Sequence, residues 1–173
     1  TICSYCDFCK MFYDSKFVKK YLQSLSKEIQ VSYQKESLAT LYIGGGTPSC
    51  LTLEDLEILF EIVDQVKLQE EYEFTFECNI DDLTSEKLLF LKKHRVNRLS
   101  IGVETVQEKF FSFLKRSSSE IEVKEKIELS KEIGFSNINV DFMYAFPNET
   151  LSDVKHDLNF SYRYKYLIFH FIL

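Results

Sequence analysis

The sequence predicts an α/β protein built on a parallel sheet. Strand-like and helix-like segments alternate along its 173 residues, and 45% apolar content is enough for one sizeable core. Polar residues also collect at strand ends, where parallel sheets bind ligands. Six or so strands in right-handed βαβ units account for this pattern.

The elements follow in order. Residues 15–34 carry apolar side chains at helical spacing (Phe17, Val18, Tyr21, Leu22, Leu25, Ile29), with Asp14 or Ser15 available as N-cap. Thr40–Ile43 is a short strand closed by Gly44-Gly45-Gly46-Thr47-Pro48-Ser49. Helix returns over 53–66, with Thr52 as N-cap and Asp55 three residues on. Tyr72–Glu77 alternates as a strand, Thr84–His94 reads as a helix, and Arg98–Val103 is a third strand. Helices are expected near 106–115 and 120–133, the second ended by Gly134 as a left-handed C-cap. Strand Ile138–Tyr144, helix Leu151–Phe160 and strand Tyr166–Leu173 complete the chain. That last apolar strand, with no helix to close it, suggests truncation or a shifted frame.

Composition narrows the function. Sixteen Phe and ten Tyr, with no Trp, point to a core packed by phenyl rings. A net charge of −6 without a dominant basic run argues against a nucleic-acid partner. Lys19-Lys20 and Lys92-Lys93 read as solvated helix faces. No stretch reaches the roughly 20 apolar residues of a membrane span. Five cysteines, three of them within the first nine residues, do not form a disulfide framework and fit a reducing, cytoplasmic setting.

Cys3, Cys6 and Cys9 are spaced so that their thiolates can converge on a soft metal centre, either zinc or an iron–sulfur cluster. Zinc would need a fourth ligand that the neighbouring sequence does not offer. In the glycine run, backbone groups can approach a ligand without Cβ interference. Glu77 and Asn79, Glu104 and Asp141 fall at or near the ends of the next three strands, which suggests one shared site. Asp141 lies in an apolar strand, where an unpaired carboxylate is costly. His94, His156 and His170 show no ligand spacing and read as surface or packing residues.

Four motifs occur in order: Cys3-x-x-Cys6-Asp7-Phe8, Gly44–Ser49, Asn97-Arg98-Leu99-Ser100-Ile101-Gly102-Val103 and Val140-Asp141-Phe142-Met143-Tyr144-Ala145-Phe146-Pro147. Together they resemble radical S-adenosylmethionine proteins of the oxygen-independent coproporphyrinogen oxidase type, over residues 1 to about 158. The resemblance implies a partial (β/α)6 barrel, incomplete at both ends. Residues 1–173 would then be a truncated core domain lacking the family's C-terminal heme-binding domain.

It also implies a [4Fe–4S] cluster held by Cys3 and Cys6, the second and third ligands of a three-cysteine loop. The first would lie two residues before Thr1. Cys9 falls outside the family pattern, either as a substitute thiolate or as a loop cysteine. S-adenosylmethionine would be bound by Gly45, Gly46, Thr47, Glu77, Glu104, Arg116 and Asp141, with Arg116 toward the ligand's carboxylate and Asp141 on the ribose hydroxyls. Glu104 stands where the family usually has Gln, which removes a donor and adds negative charge.

Two activities follow from the resemblance. In its heme-chaperone branch, the full-length protein passes heme to an acceptor protein. In its oxidase branch, coproporphyrinogen III dehydrogenase converts propionate side chains to vinyl groups by radical chemistry on S-adenosylmethionine. The oxidase branch carries a further cysteine two residues after the third ligand. That position here is Phe8, as in the chaperone branch. An inert remnant of a broken gene is a third reading, because both ends look incomplete.

Overall fold

The computed structural model describes residues 11–115 and 118–163, together with the backbone of Leu167–Ile172. Five parallel strands form one sheet in the order β1-β2-β3-β4-β5. They are Leu38–Ile43, Leu68–Asn79, Arg98–Glu104, Asn137–Met143 and Leu167–Ile172. Strand order equals chain order, so each crossover moves one place along the sheet, as in a barrel wall. Five strands lie among the described residues, against six or so expected.

Local chemistry explains the helices. In α1, Ser15–Ser32, Asp14 is the N-cap and accepts the N–H groups of Lys16 and Phe17. In α2, Leu53–Val63, Thr52 Oγ1 accepts the Asp55 N–H at 3.2 Å and donates to the Asp55 carboxylate at 2.9 Å. Helix α3, Ser85–Lys93, starts at the Thr84 cap. The segment expected as a helix over 106–115 is a 3₁₀ turn, Glu108–Phe110, running into a single turn, α4, Phe111–Leu114. Helix α5, Glu120–Glu132, opens with a capping box between Ser119 and Glu122, and Gly134 follows its end at φ 103°. Helix α6 is Leu151–Arg163.

Parallel register and the two-residue period of a strand divide the sheet into unlike faces. One is apolar: Phe74 and Phe76 of β2, Leu99 and Ile101 of β3, and Ile138 and Val140 of β4 are all fully buried. They form a single core with Leu22 of α1, Phe60 of α2, Leu88 of α3, Ile127 of α5 and Phe160 of α6. Phe60 is the hub of the expected ring cluster, with centroids 5.9 Å from Phe74, 6.0 Å from Phe76 and 5.4 Å from Phe90. His94 is a packing residue, stacked 4.4 Å from Phe90. Lys92 does more than solvate its helix. Its Nζ donates to the Gly134 carbonyl at 2.7 Å and lies over the Phe135 ring.

The other face is polar. Register places Tyr42 of β1 beside Thr75 of β2, Arg98 of β3 and Asn137 of β4, and sets Glu77, Ser100 and Asn139 in the next row. Asp141 stands one step further, beside Gly102. Covering helices on one face and a polar opposite face are the geometry of a barrel wall whose interior is the polar side.

Candidate cofactor site

The glycine run leaves the end of β1 and turns at once. Gly45 has φ 112°, and Thr47 adopts the left-handed region at φ 61° before Pro48 starts a 3₁₀ turn, Pro48–Cys50. The three glycines differ in what they require. A Cβ on Gly44 would lie 2.5 Å from Tyr42 Cε1 and 2.6 Å from Glu77 Cδ. A Cβ on Gly45 or Gly46 would meet nothing within 4 Å. Gly44 is therefore fixed by internal packing, whereas Gly45 and Gly46 border open space.

Glu77 closes the gap between β2 and the loop. Its Oε2 accepts the Gly45 N–H at 2.9 Å, and its Oε1 accepts the Tyr42 hydroxyl at 2.5 Å. Ser49 ties the far side of the loop down. It is 3% exposed, its Oγ donates to Asp82 at 3.0 Å and accepts the Asn79 N–H at 2.8 Å, and its carbonyl accepts Lys87 Nζ at 2.6 Å.

Asp141 is held differently from the sequence expectation. Strand β4 is apolar on one side only, and Asp141 belongs to the polar side with Asn137 and Asn139. Its carboxylate accepts Asn139 Nδ2 at 2.8 Å and Ser100 Oγ at 3.3 Å, while Asn139 also donates to Ser100 at 3.0 Å. These bonds offset the desolvation of a half-buried carboxylate.

Glu104 ends β3 at a register shift, with φ 64° and only 7% of its surface exposed. A left-handed, buried, non-glycine residue is uncommon and strained. The following turn is locked to α6: Thr105 Oγ1 donates to Asp157 at 2.7 Å, and Gln107 Nε2 donates to the Asp153 carbonyl at 2.9 Å.

The structure thus brings Gly45, Gly46, Thr47, Glu77, Glu104 and Asp141 to the carboxyl ends of β1 to β4. Cys3, Cys6, Cys9 and Arg116 lie outside the described residues. Sequence reading passes over Tyr42, Ser49, Ser100 and Asn139. The visible signal for the last two is a polar residue at every second position, 98-100 in β3 and 137-139-141 in β4. Cys50, exposed, and Cys78, buried, are free thiols, and burial pushes both thiols up from the ordinary value. Neither is poised as a thiolate nucleophile.

An open glycine loop offers backbone groups, and Glu77 and Asp141 offer carboxylates. That donor and acceptor set suits an amino-acid moiety joined to a ribose.

A one-sided parallel sheet with a glycine loop and carboxylates at its strand ends has the form of a partial α/β barrel. The chain belongs to the radical SAM superfamily, whose profile matches residues 1–161. It is similar to the heme chaperone HemW of Lactococcus lactis, 40% identical over 158 residues that cover 91% of this chain and 41% of that protein. It is likewise similar to HemW of Bacillus subtilis, 39% identical over 163 residues, with 91% and 43% covered. Among solved structures it resembles the Escherichia coli coproporphyrinogen III oxidase HemN, a radical SAM enzyme, at TM-score 0.86 and 21% identity. That match covers all of this chain and 42% of HemN, and it shows a shared fold. The chain spans about two-fifths of the length of these relatives.

Proposed function

We propose that this chain is the cofactor-binding core of a heme chaperone similar to HemW. Cys3 and Cys6 contribute thiolates to a [4Fe–4S] cluster. Gly45, Gly46, Thr47, Glu77, Glu104, Arg116 and Asp141 bind S-adenosylmethionine, and the full-length protein passes heme to an acceptor protein in the cytoplasm. The observation that carries the site is the Glu77 carboxylate held against the Gly45 amide, on the same sheet face as Asp141. The likeness to HemW proteins and Phe8 within the cysteine loop support the chaperone over the oxidase.

A [4Fe–4S] cluster, when bound, would supply one-electron redox chemistry beside the ligand. The described residues do the holding. The glycine loop lets backbone groups approach closely, because no Cβ stands on its open side. Glu77 orients an ammonium against that loop. Asp141, fixed by Ser100 and Asn139, presents a carboxylate to paired hydroxyls.

The test uses the protein with its natural flanking sequence, reconstituted anaerobically with iron and sulfide. Cluster absorbance, S-adenosylmethionine binding and transfer of bound heme to an apo-acceptor are expected, with no decarboxylation of coproporphyrinogen. Cys6→Ala is expected to abolish the absorbance. Conversion of coproporphyrinogen would overturn the chaperone reading, and retained absorbance in the Cys6 variant would overturn the cluster assignment.

A further inference from the structure

Tyr42 lies outside the set of residues that the glycine, Glu77 and Asp141 motifs supply, yet it makes a short bond to one of them. Its hydroxyl donates to Glu77 Oε1 at 2.5 Å, while the other oxygen of the same carboxylate accepts the Gly45 N–H at 2.9 Å. Glu77 is thus held at both oxygens, in a plane set by β1 and the glycine loop. A carboxylate has about four lone-pair directions, so two remain for a ligand. A glutamate side chain has three rotatable torsions, and without these anchors it would lose that freedom only on binding.

Gly44 shows what this arrangement demands of the loop. The space a Cβ would occupy there is filled by the Tyr42 ring edge at 2.5 Å and by Glu77 Cδ at 2.6 Å. The missing side chain is what lets the phenol cross the loop to reach Glu77. Burial, together with the hydrogen bond to Glu77, pushes the Tyr42 hydroxyl up to about 12, so it remains a donor throughout the working pH range.

We propose that Tyr42 is a positioning residue: it presets the Glu77 carboxylate to receive the ammonium group of an amino-acid-bearing ligand at the glycine loop. The inference rests on the reading of this site as an S-adenosylmethionine site and adds a specific donor to it. It also divides the glycine run, assigning Gly44 to the Tyr42–Glu77 pair and leaving Gly45 and Gly46 to the ligand.

The test measures S-adenosylmethionine binding by equilibrium dialysis on the full chain with its natural flanks, reconstituted with iron and sulfide. Tyr42→Phe is expected to weaken binding by about tenfold, the size of one hydrogen bond to a charged group. Glu77→Gln weakens binding by itself, and adding Tyr42→Phe to it is expected to cost no more than about twofold further, because coupled residues are not additive. A purely structural Tyr42 would not show this non-additivity. Wild-type affinity in Tyr42→Phe, or losses that multiply in the double variant, would overturn the proposal. Should Tyr42→Phe fail to fold, Gly44→Ala reads the same pair by displacing the phenol, and unchanged affinity there would count against it. If the wild-type protein binds no S-adenosylmethionine, the site reading fails and this inference with it. Wild-type binding with an indifferent Tyr42 defeats the inference alone.

Discussion

Thr105 Oγ1 donates a 2.7 Å hydrogen bond to Oδ2 of Asp157, joining the turn after β3 to helix α6. Both residues are buried, at 1% and 5% exposure, and Oδ1 of the same carboxylate accepts the Val106 N–H at 3.4 Å. The turn begins directly after Glu104, whose left-handed backbone needs neighbours that hold it. Asp157 is therefore the far anchor of the Glu104 turn.

Asp157→Ala should destabilise the protein by about 2–3 kcal/mol, since it removes bonds to a buried hydroxyl and a buried amide. Asp157→Asn keeps the shape and separates out the charge. Burial raises the Asp157 carboxyl above its ordinary 3.8, against the pull of the Thr105 hydroxyl. A raised folded-state value means that the contribution is fully present below 3.8 and lost as pH rises through the folded value. The Asp157→Asn variant should accordingly gain on wild type as pH is raised from about 3.5 toward neutrality. Urea midpoints across that range check it, and a pH-independent difference would contradict the assignment.

Ser49 offers a test of how the glycine loop is fastened. Its hydroxyl links the loop to the Asn79 amide at the end of β2 and to the Asp82 carboxylate. Ser49→Ala should cost about 1–2 kcal/mol, while Ser49→Thr, which keeps the hydroxyl, should cost less. Thermal melts of the two variants decide this. Equal losses would mean that the site is sensitive to volume and that the hydroxyl contributes nothing.

Much of this fold is legible in the sequence because the local signals agree with the tertiary ones. Thr52 with Asp55, Thr84 before Lys87, and Gly134 after α5 each mark a helix boundary by a specific backbone need. Segment 106–115 is less legible. Its apolar positions, Phe110 and Leu114, serve a small separate cluster with Phe146, so the periodicity of a long helix is met by a 3₁₀ turn and one α-turn. The carboxylates at strand ends are visible from their places after apolar runs. Their partners are hidden because Tyr42, Ser100 and Asn139 are ordinary strand residues whose role appears only when register aligns them across four strands. Asp141 shows the same limit: in one dimension it interrupts an apolar run, and in the sheet it completes a polar row.

Asp153 should respond to pH in the sense opposite to Asp157, although both lie on α6, one turn apart. The Lys109 ammonium bonds its carboxylate, and Thr150 donates both its N–H and its hydroxyl at 2.8 Å. These donors, Lys109 first, hold the carboxyl at about 2, below its ordinary 3.8. A depressed value contributes stability above 3.8 that disappears as pH falls through about 2. Asp153→Asn should therefore be less stable than wild type near pH ~6 and converge with it between about pH 4 and 2. Lys109→Ala should shrink that difference, and so should high salt, since the lysine is half exposed. Because Gln107 bonds the Asp153 carbonyl, fraying this helix start also loosens the turn that carries Glu104. Denaturant midpoints of wild type and the two variants, taken from about pH 6 down to 2, give the sign directly. A gap that widens on acidification would refute the role assigned to Lys109 and Thr150.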